Sequence, residues 1–296
     1  WTTNAIDLGA SSANLEIANI CGVSATTAYA SVFPKAAGVL GGVWKTTDGG
    51  NNWKNISDKY FGGSIGAIAI SESDENIIYV GEGENTMRGN VSEGIDGMWK
   101  STDGGRTWMN LGLKNSRHIT NIIIHPRNPD IAWVSVQGHL FGPSEDRGVY
   151  KTMDGGKTWQ SKSTDTLPGG HYFYGNGILP SPINEKRVYV CGSGYSNPGV
   201  YRSDDYGATW TPLTENAPKT LFYRIVCTPD EKYIFAATEA GPYVYIVAEN
   251  KWYDMYGTKP GGAPDQTYWS VEYVEPINVV RFCTYGRGVW DFEIAD

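Results

Sequence analysis

Short apolar runs separated by turn residues recur along the whole chain, and no stretch repeats apolar positions at helical spacing over a useful length. Residues 119–161 show the pattern. Ile119-Thr-Asn-Ile-Ile-Ile124, Ile131-Ala-Trp-Val-Ser135, Gly148-Val-Tyr-Lys151 and Trp159-Gln-Ser161 read as four successive strands. Turn residues such as Pro126-Arg-Asn-Pro129 here, and Pro229-Asp230 further on, separate a first strand from a second. The chain is predicted to be all-β and built from four-stranded units.

The last two strands of a unit are joined by a phrase that occurs four times. It reads Thr46-Thr-Asp-Gly-Gly-Asn-Asn-Trp53, Ser101-Thr-Asp-Gly-Gly-Arg-Thr-Trp108, Thr152-Met-Asp-Gly-Gly-Lys-Thr-Trp159 and Ser203-Asp-Asp-Tyr-Gly-Ala-Thr-Trp210. Asp48, Asp103, Asp154 and Asp205 can accept hydrogen bonds from backbone donors a few residues on. The glycines supply the positive φ of a tight turn. Each closing Trp is expected to plug the turn against its own sheet. Trp53 to Trp108 is 55 residues, and the next two intervals are 51 each. Gly42, Gly97, Gly148 and Gly199 lie 11 residues before their Trp, and so does Gly241 before Trp252, which marks a fifth unit without the Asp. A sixth begins at Gly288-Val-Trp-Asp-Phe292, and its Trp-led strand is at the other end of the chain, Trp1-Thr-Thr-Asn-Ala-Ile6. A period of this length signals an array of equivalent units.

The phrase S/T-x-D-x-G-x-x-W resembles the Asp-box, or BNR repeat, of sialidases, sortilin-type receptors, xyloglucan hydrolases and secreted proteins of the Bacteroidetes. The resemblance implies a β-propeller in one domain, residues 1–296. Its blades are expected near 9–57, 58–112, 113–163, 164–214, 215–256 and 257–296, the last closed by residues 1–8. Closure would remove the open sheet edges. It also implies that the Asp turns are structural, on the face opposite the binding face. Residues 42–160 look like sortilin-like or hydrolase-type BNR proteins. Residues 1–40 and 165–296 look like propellers of Bacteroidetes secreted proteins.

Composition narrows the partners. A formal charge of −8 argues against nucleic acid and anionic membrane. No apolar run approaches a membrane span. The chain opens on a strand phrase and not on a signal peptide, as a mature or trimmed piece of a larger secreted bacterial protein would. Cys191 and Cys283 occupy equivalent second-strand positions, and Cys21 and Cys227 equivalent first-strand positions. They read either as two interblade disulfides, 191 with 227 and 283 with 21, or as four small buried thiols.

Candidate binding residues lie where the chain leads into each unit and in the long loops. The lead-in segments are aromatic: Tyr60-Phe61, His118, His171-Tyr-Phe-Tyr174, Phe222-Tyr223 and Tyr268-Trp269. Their rings either cap the core or form stacking platforms for sugar or peptide. Residues 82–96 and 137–147 form long loops, the usual place for binding on a rigid scaffold. The expected ligand contacts are His171, Tyr172, Tyr174, Tyr223 and Trp269, with Arg88, His139, Glu145 and Arg147 orienting hydroxyls or a carboxylate. Loop carboxylates Glu82, Glu84, Glu93, Asp96, Glu145 and Asp146 are solvated charge, or could hold Ca2+ or act as acid and base; no cofactor is otherwise expected.

The expected function is an extracellular, non-catalytic binding or scaffolding propeller for a polysaccharide or protein ligand. The alternative is a glycoside hydrolase. Phe222-Tyr-Arg-Ile-Val226 faintly resembles a sialidase motif but carries Val226 where that motif has Pro. Gly42-Val-Trp-Lys-Thr-Thr-Asp-Gly-Gly50 resembles xyloglucan hydrolases, which place substrate between two tandem propellers.

Overall fold

The computed structural model describes residues 15–34, 41–84, 92–139, 144–162, 177–256, 263–284 and 286–294. They form two compact units, Trp1–Ser161 and Lys162–Asp296. The first holds three four-stranded antiparallel sheets. These are β1 (Leu15–Gly22), β2 (Ala28–Pro34), β3 (Gly42–Thr46) and β4 (Lys54–Asn55); β5 (Ile65–Ile70), β6 (Ile78–Glu82), β7 (Met98–Ser101) and β8 (Met109–Gly112); and β9 (Ile119–His125), β10 (Asn128–Val136), β11 (Gly148–Thr152) and β12 (Gln160–Ser161).

The second unit holds β13 (Gly177–Pro180), β14 (Val188–Cys191), β15 (Val200–Ser203) and β16 (Thr211–Pro212), then β17 (Phe222–Cys227), β18 (Tyr233–Thr238), β19 (Gly241–Ile246) and β20 (Lys251–Asp254). Its last sheet has three strands among the described residues, β21 (Tyr268–Val274), β22 (Val279–Thr284) and β23 (Val289–Glu293). Every sheet is an up-and-down meander, the order expected of propeller blades. The expected closing strand, residues 1–8, lies outside the described residues.

The apolar core sits between successive sheets. Tyr29 and Val43 of the first sheet pack with Ile65, Ile78 and Val80 of the second; Tyr79 and Met98 of the second pack with Ile122, Ala132 and Val134 of the third. In the other unit Tyr189 and Val200 pack with Phe222, Ile225 and Ile234, and Phe235 with Tyr268, Val271 and Phe282. All four cysteines are free thiols. Cys191 is fully buried in one of these cores, where loss of water raises its pKa, and burial pushes Cys227 up to about 12.

Two expectations are corrected. Pro129 does not separate β9 from β10; it lies inside β10, where the β9 pairing register breaks between Asn128 and Ala132. A break of that kind admits a residue with no N–H to donate. The closing Trp does not lock its own sheet. The indole N–H of Trp108 donates to the Ile56 carbonyl of the preceding sheet at 3.0 Å, and Trp159, Trp210 and Trp252 reach back to Leu111, Lys162 and Leu213 in the same way. A side chain that large spans the gap between neighbouring sheets more readily than it folds back on its own turn.

Candidate functional site

Each sheet has two ends. One carries the Asp turns. There the Ser101 hydroxyl donates to Asp103 at 2.8 Å and accepts from the Gly105 N–H at 2.8 Å, while Asp103 accepts from the backbone of Arg106 and Thr107. Thr46, Thr152 and Ser203 repeat the arrangement with Asp48, Asp154 and Asp205. These bonds hold all four carboxyls down at about 2; for Asp48 and Asp154 they are the leading cause, and for Asp103 and Asp205 they outweigh an opposing desolvation. Gly105 has φ +85, and a Cβ there would meet Ile56 Cδ1 at 2.3 Å, so only glycine suits the turn. Three turns are also stitched to the loop joining their own sheet's first two strands, by Gly49 N–H to Thr26, Gly104 N–H to Asn76 and Tyr206 N–H to Lys186, and the fourth to β10, by Gly155 N–H to Asp130.

The opposite end carries the lead-in segments and the long loops. In the first unit the two buried loop carboxylates accept from the backbone of their own loop. Glu82 is buried and accepts from the backbone of Ile95 and Asp96 and from the Trp99 indole; buried Glu84 accepts from Ser92. Neither is the solvated charge considered from sequence. A long irregular loop lacks ladder partners, so its N–H groups need side-chain acceptors. Glu93 pairs with Arg117 and Asp96 with Lys114. Arg147 grips its own loop through the carbonyls of Gln137 and His139, at 2.8 and 2.6 Å, and Glu145 is exposed. Among the described residues no three His, Cys, Asp or Glu side chains converge as a metal site.

The lead-in aromatics divide. Phe61, His118, Phe222 and Tyr268 are buried. Burial lowers the His118 pKa below the usual imidazole range, and its Nδ1 faces the Glu84 carbonyl at 2.8 Å. Tyr223 and Trp269 point outward, with ring centroids 4.6 Å apart and Trp269 39% exposed. His171, Tyr172, Tyr174 and Arg88 lie outside the described residues.

Around that pair in the second unit is a group of side chains that sequence reasoning passed over. Glu239, in the tight turn between β18 and β19, accepts from the Tyr195 hydroxyl at 2.5 Å and from Thr220 at 3.5 Å. Its N–H donates to the Leu221 carbonyl, and its own carbonyl accepts from Thr267. Leu221 and Thr267 each stand two residues before one of the paired rings, and both Tyr223 and Trp269 sit at β-bulges, where the pairing register shifts. A half-buried carboxylate and a phenol are thus tied to the two segments that lead into the ring pair. Such a group can stack an apolar ring face and accept hydrogen bonds from its hydroxyls. The overlooked signal was the carboxylate in Thr238-Glu-Ala-Gly241, the shortest kind of turn at this end.

Comparison with known proteins agrees with the architecture. A family model described as Sortilin-Vps10, "Sortilin, neurotensin receptor 3", matches residues 41–168. A xyloglucanase of Paenibacillus sp is 26% identical over 172 residues, 55% of this chain and 16% of that protein. A xyloglucanase of Acetivibrio thermocellus is 24% identical over 283 residues, 84% of this chain and 32% of that protein. The chain thus spans a third or less of these relatives' length. Among solved structures, the GH74 xyloglucanase from Xanthomonas campestris superposes with TM-score 0.63 at 16% identity, over 92% of this chain and 42% of that one. YCF48 bound to D1 peptide superposes with TM-score 0.59 at 15% identity, over 94% and 79%. The sheets described above are therefore those of a β-propeller that contains a sortilin-like stretch and is similar to GH74 xyloglucanases.

Proposed function

We propose that this chain is a glycan-binding propeller that holds a polysaccharide without cleaving it. The observation that carries the reading is the Tyr223–Trp269 ring pair, with Trp269 exposed, on the two segments to which the Glu239 turn is bonded. Two rings presented together stack a pyranose face with little loss of side-chain entropy, and the neighbouring carboxylate fixes its hydroxyls. Polysaccharides are met outside the cell, so the protein works extracellularly, within a larger secreted protein. His171, Tyr172, Tyr174, Arg88, His139, Glu145 and Arg147 are further ligand contacts in this reading. A glycan and peptide array on the purified chain tests it. Glycan signal is expected, with roughly tenfold weaker binding in Tyr223→Ala/Trp269→Ala. Signal on peptides alone would instead favour a protein ligand.

The xyloglucanase relatives favour a second reading, hydrolysis. It requires a second carboxylate about 5–10 Å from the first across one cleft. Reducing-end release from xyloglucan decides: none is expected, and release that Glu239→Gln abolishes would establish the hydrolase.

The proposed frame is a six-bladed ring closed by residues 1–8. Its support is a spacing. The indoles of Trp108, Trp159, Trp210 and Trp252 bond to carbonyls of Ile56, Leu111, Lys162 and Leu213, each three residues after the preceding closing Trp. The Trp53 indole N–H is buried and lacks a partner among the described residues. Asn4, three residues after Trp1, stands in the corresponding position of the sequence.

A further inference from the structure

A cavity of about 230 Å³ opens in the first unit, between the short 3-10 turn Lys114–Ser116 and the start and end of the β10–β11 loop. One wall is apolar: Leu113, Val136 and the Tyr150 ring. The other is polar: Lys114, Ser116 and Asp146. Ser116 is 2% exposed, and its hydroxyl has no hydrogen-bond partner. A buried hydroxyl left unpaired is disfavoured, and a native one asks for a ligand or water to satisfy it. The phenol of Tyr150 donates to the Asp146 carbonyl at 2.9 Å, which holds the ring as a fixed wall.

From these groups we infer that the cavity is a binding site for a single neutral, hydroxylated ring, a terminal or branching sugar unit. Size sets the first limit. The volume falls below the roughly 300–1,000 Å³ of pockets for drug-sized ligands, so it admits one ring and not an oligomer. Charge sets the second. Lys114 pairs with Asp96 at 3.3 Å, and Asp146 lines the same cavity, so the lining carries both signs of charge and offers no uniform field to an anion or a cation. Polarity sets the third. One apolar wall facing mixed donors and acceptors matches a pyranose, whose C–H face is apolar and whose hydroxyls both donate and accept. This ligand class rests on the cavity's own groups and owes nothing to the Tyr223–Trp269 pair.

Leu113 and Val136 are built-in reporters. The test follows their methyl resonances in the full 296-residue chain, titrated with glucose, xylose, glucuronate and glucosamine. The neutral sugars are expected to shift both methyls with roughly millimolar dissociation constants, as suits so small a ligand. The charged sugars are expected to bind about tenfold more weakly. Ser116→Val is expected to weaken the neutral sugars about tenfold, with other methyl signals in place, and Asp146→Asn to relieve the penalty against glucuronate. Tyr223→Ala/Trp269→Ala is expected to leave these titrations unchanged, so loss of the aromatic platform and loss of the cavity read separately. Absence of shifts with neutral sugars, equal response to charged and neutral sugars, or undiminished neutral-sugar binding in Ser116→Val would overturn the inference.

Discussion

Thr46, Ser101, Thr152 and Ser203 are each nearly inaccessible to water, and each hydroxyl joins the start of a turn to its glycine. The Asp that gives the phrase its signature is less buried, and the N–H groups it receives belong to exposed residues. Ser101→Ala should therefore cost about 1–3 kcal/mol, because it strands the buried Gly105 donor, whereas Asp103→Ala should cost less, since its donors can turn to water. Urea unfolding of the two variants measures the difference. The Asp carboxyls have folded pKa values of about 2 against an ordinary 3.8. Between those values the unfolded chain binds more protons, so their contribution is full above pH 4 and is lost as pH falls toward 2. Buried His118 acts in a higher window. Its folded pKa lies below 6.5, so stability is full above that value and declines as pH falls beneath it. His118→Gln should flatten the decline between pH 7 and 5, measured by the same unfolding series. At this scale the Asp and Gly roles were legible in the sequence. The Trp partners were not, because they lie 39 to 52 residues back on another sheet.

At the scale of elements, the aromatic lead-ins divide at β-bulges. In Phe222-Tyr223 and Tyr268-Trp269 the first ring enters the core, while the second stands at the bulge, Tyr223 half-buried and Trp269 exposed. Which pair of rings would meet across two sheets was not readable, since β17 and β21 begin far apart in the sequence. Glu231 was equally hidden. It is buried in the turn between β17 and β18 and accepts from Arg187 at 2.7 Å, from Tyr189 at 2.6 Å and from Ser181, tying one sheet to the next. Arg187 pairs also with Asp204. Arg187→Ala leaves a buried carboxylate with only hydroxyl donors and should destabilise the chain by about 3 kcal/mol, whereas Glu231→Gln should cost less. Thermal unfolding of both variants checks the order.

For the whole molecule, apolar cores lie between sheets, so each blade is stabilised by its neighbours more than by itself. The period made this architecture legible, because repetition survives where individual phrases decay, as around Trp252. Removing residues 1–8 should lower the melting temperature by roughly 5–10 °C, about 2–3 kcal/mol for a chain of this size. It should also shift the Trp53 indole N–H signal in a two-dimensional NMR spectrum. A variant with unchanged melting and an unmoved Trp53 signal would dissolve the proposed closure.

The backward reach of the indoles has a mechanical corollary. Within each unit a closing Trp acts as a hook set into the sheet before it. Tension drawn along the chain would load these hooks in series, and each would yield only when its own sheet peels from the neighbour. With 51 residues between Trp108 and Trp159, every release would free a contour of roughly 17 nm. A chain under tension would then lengthen by discrete steps, giving way one sheet at a time.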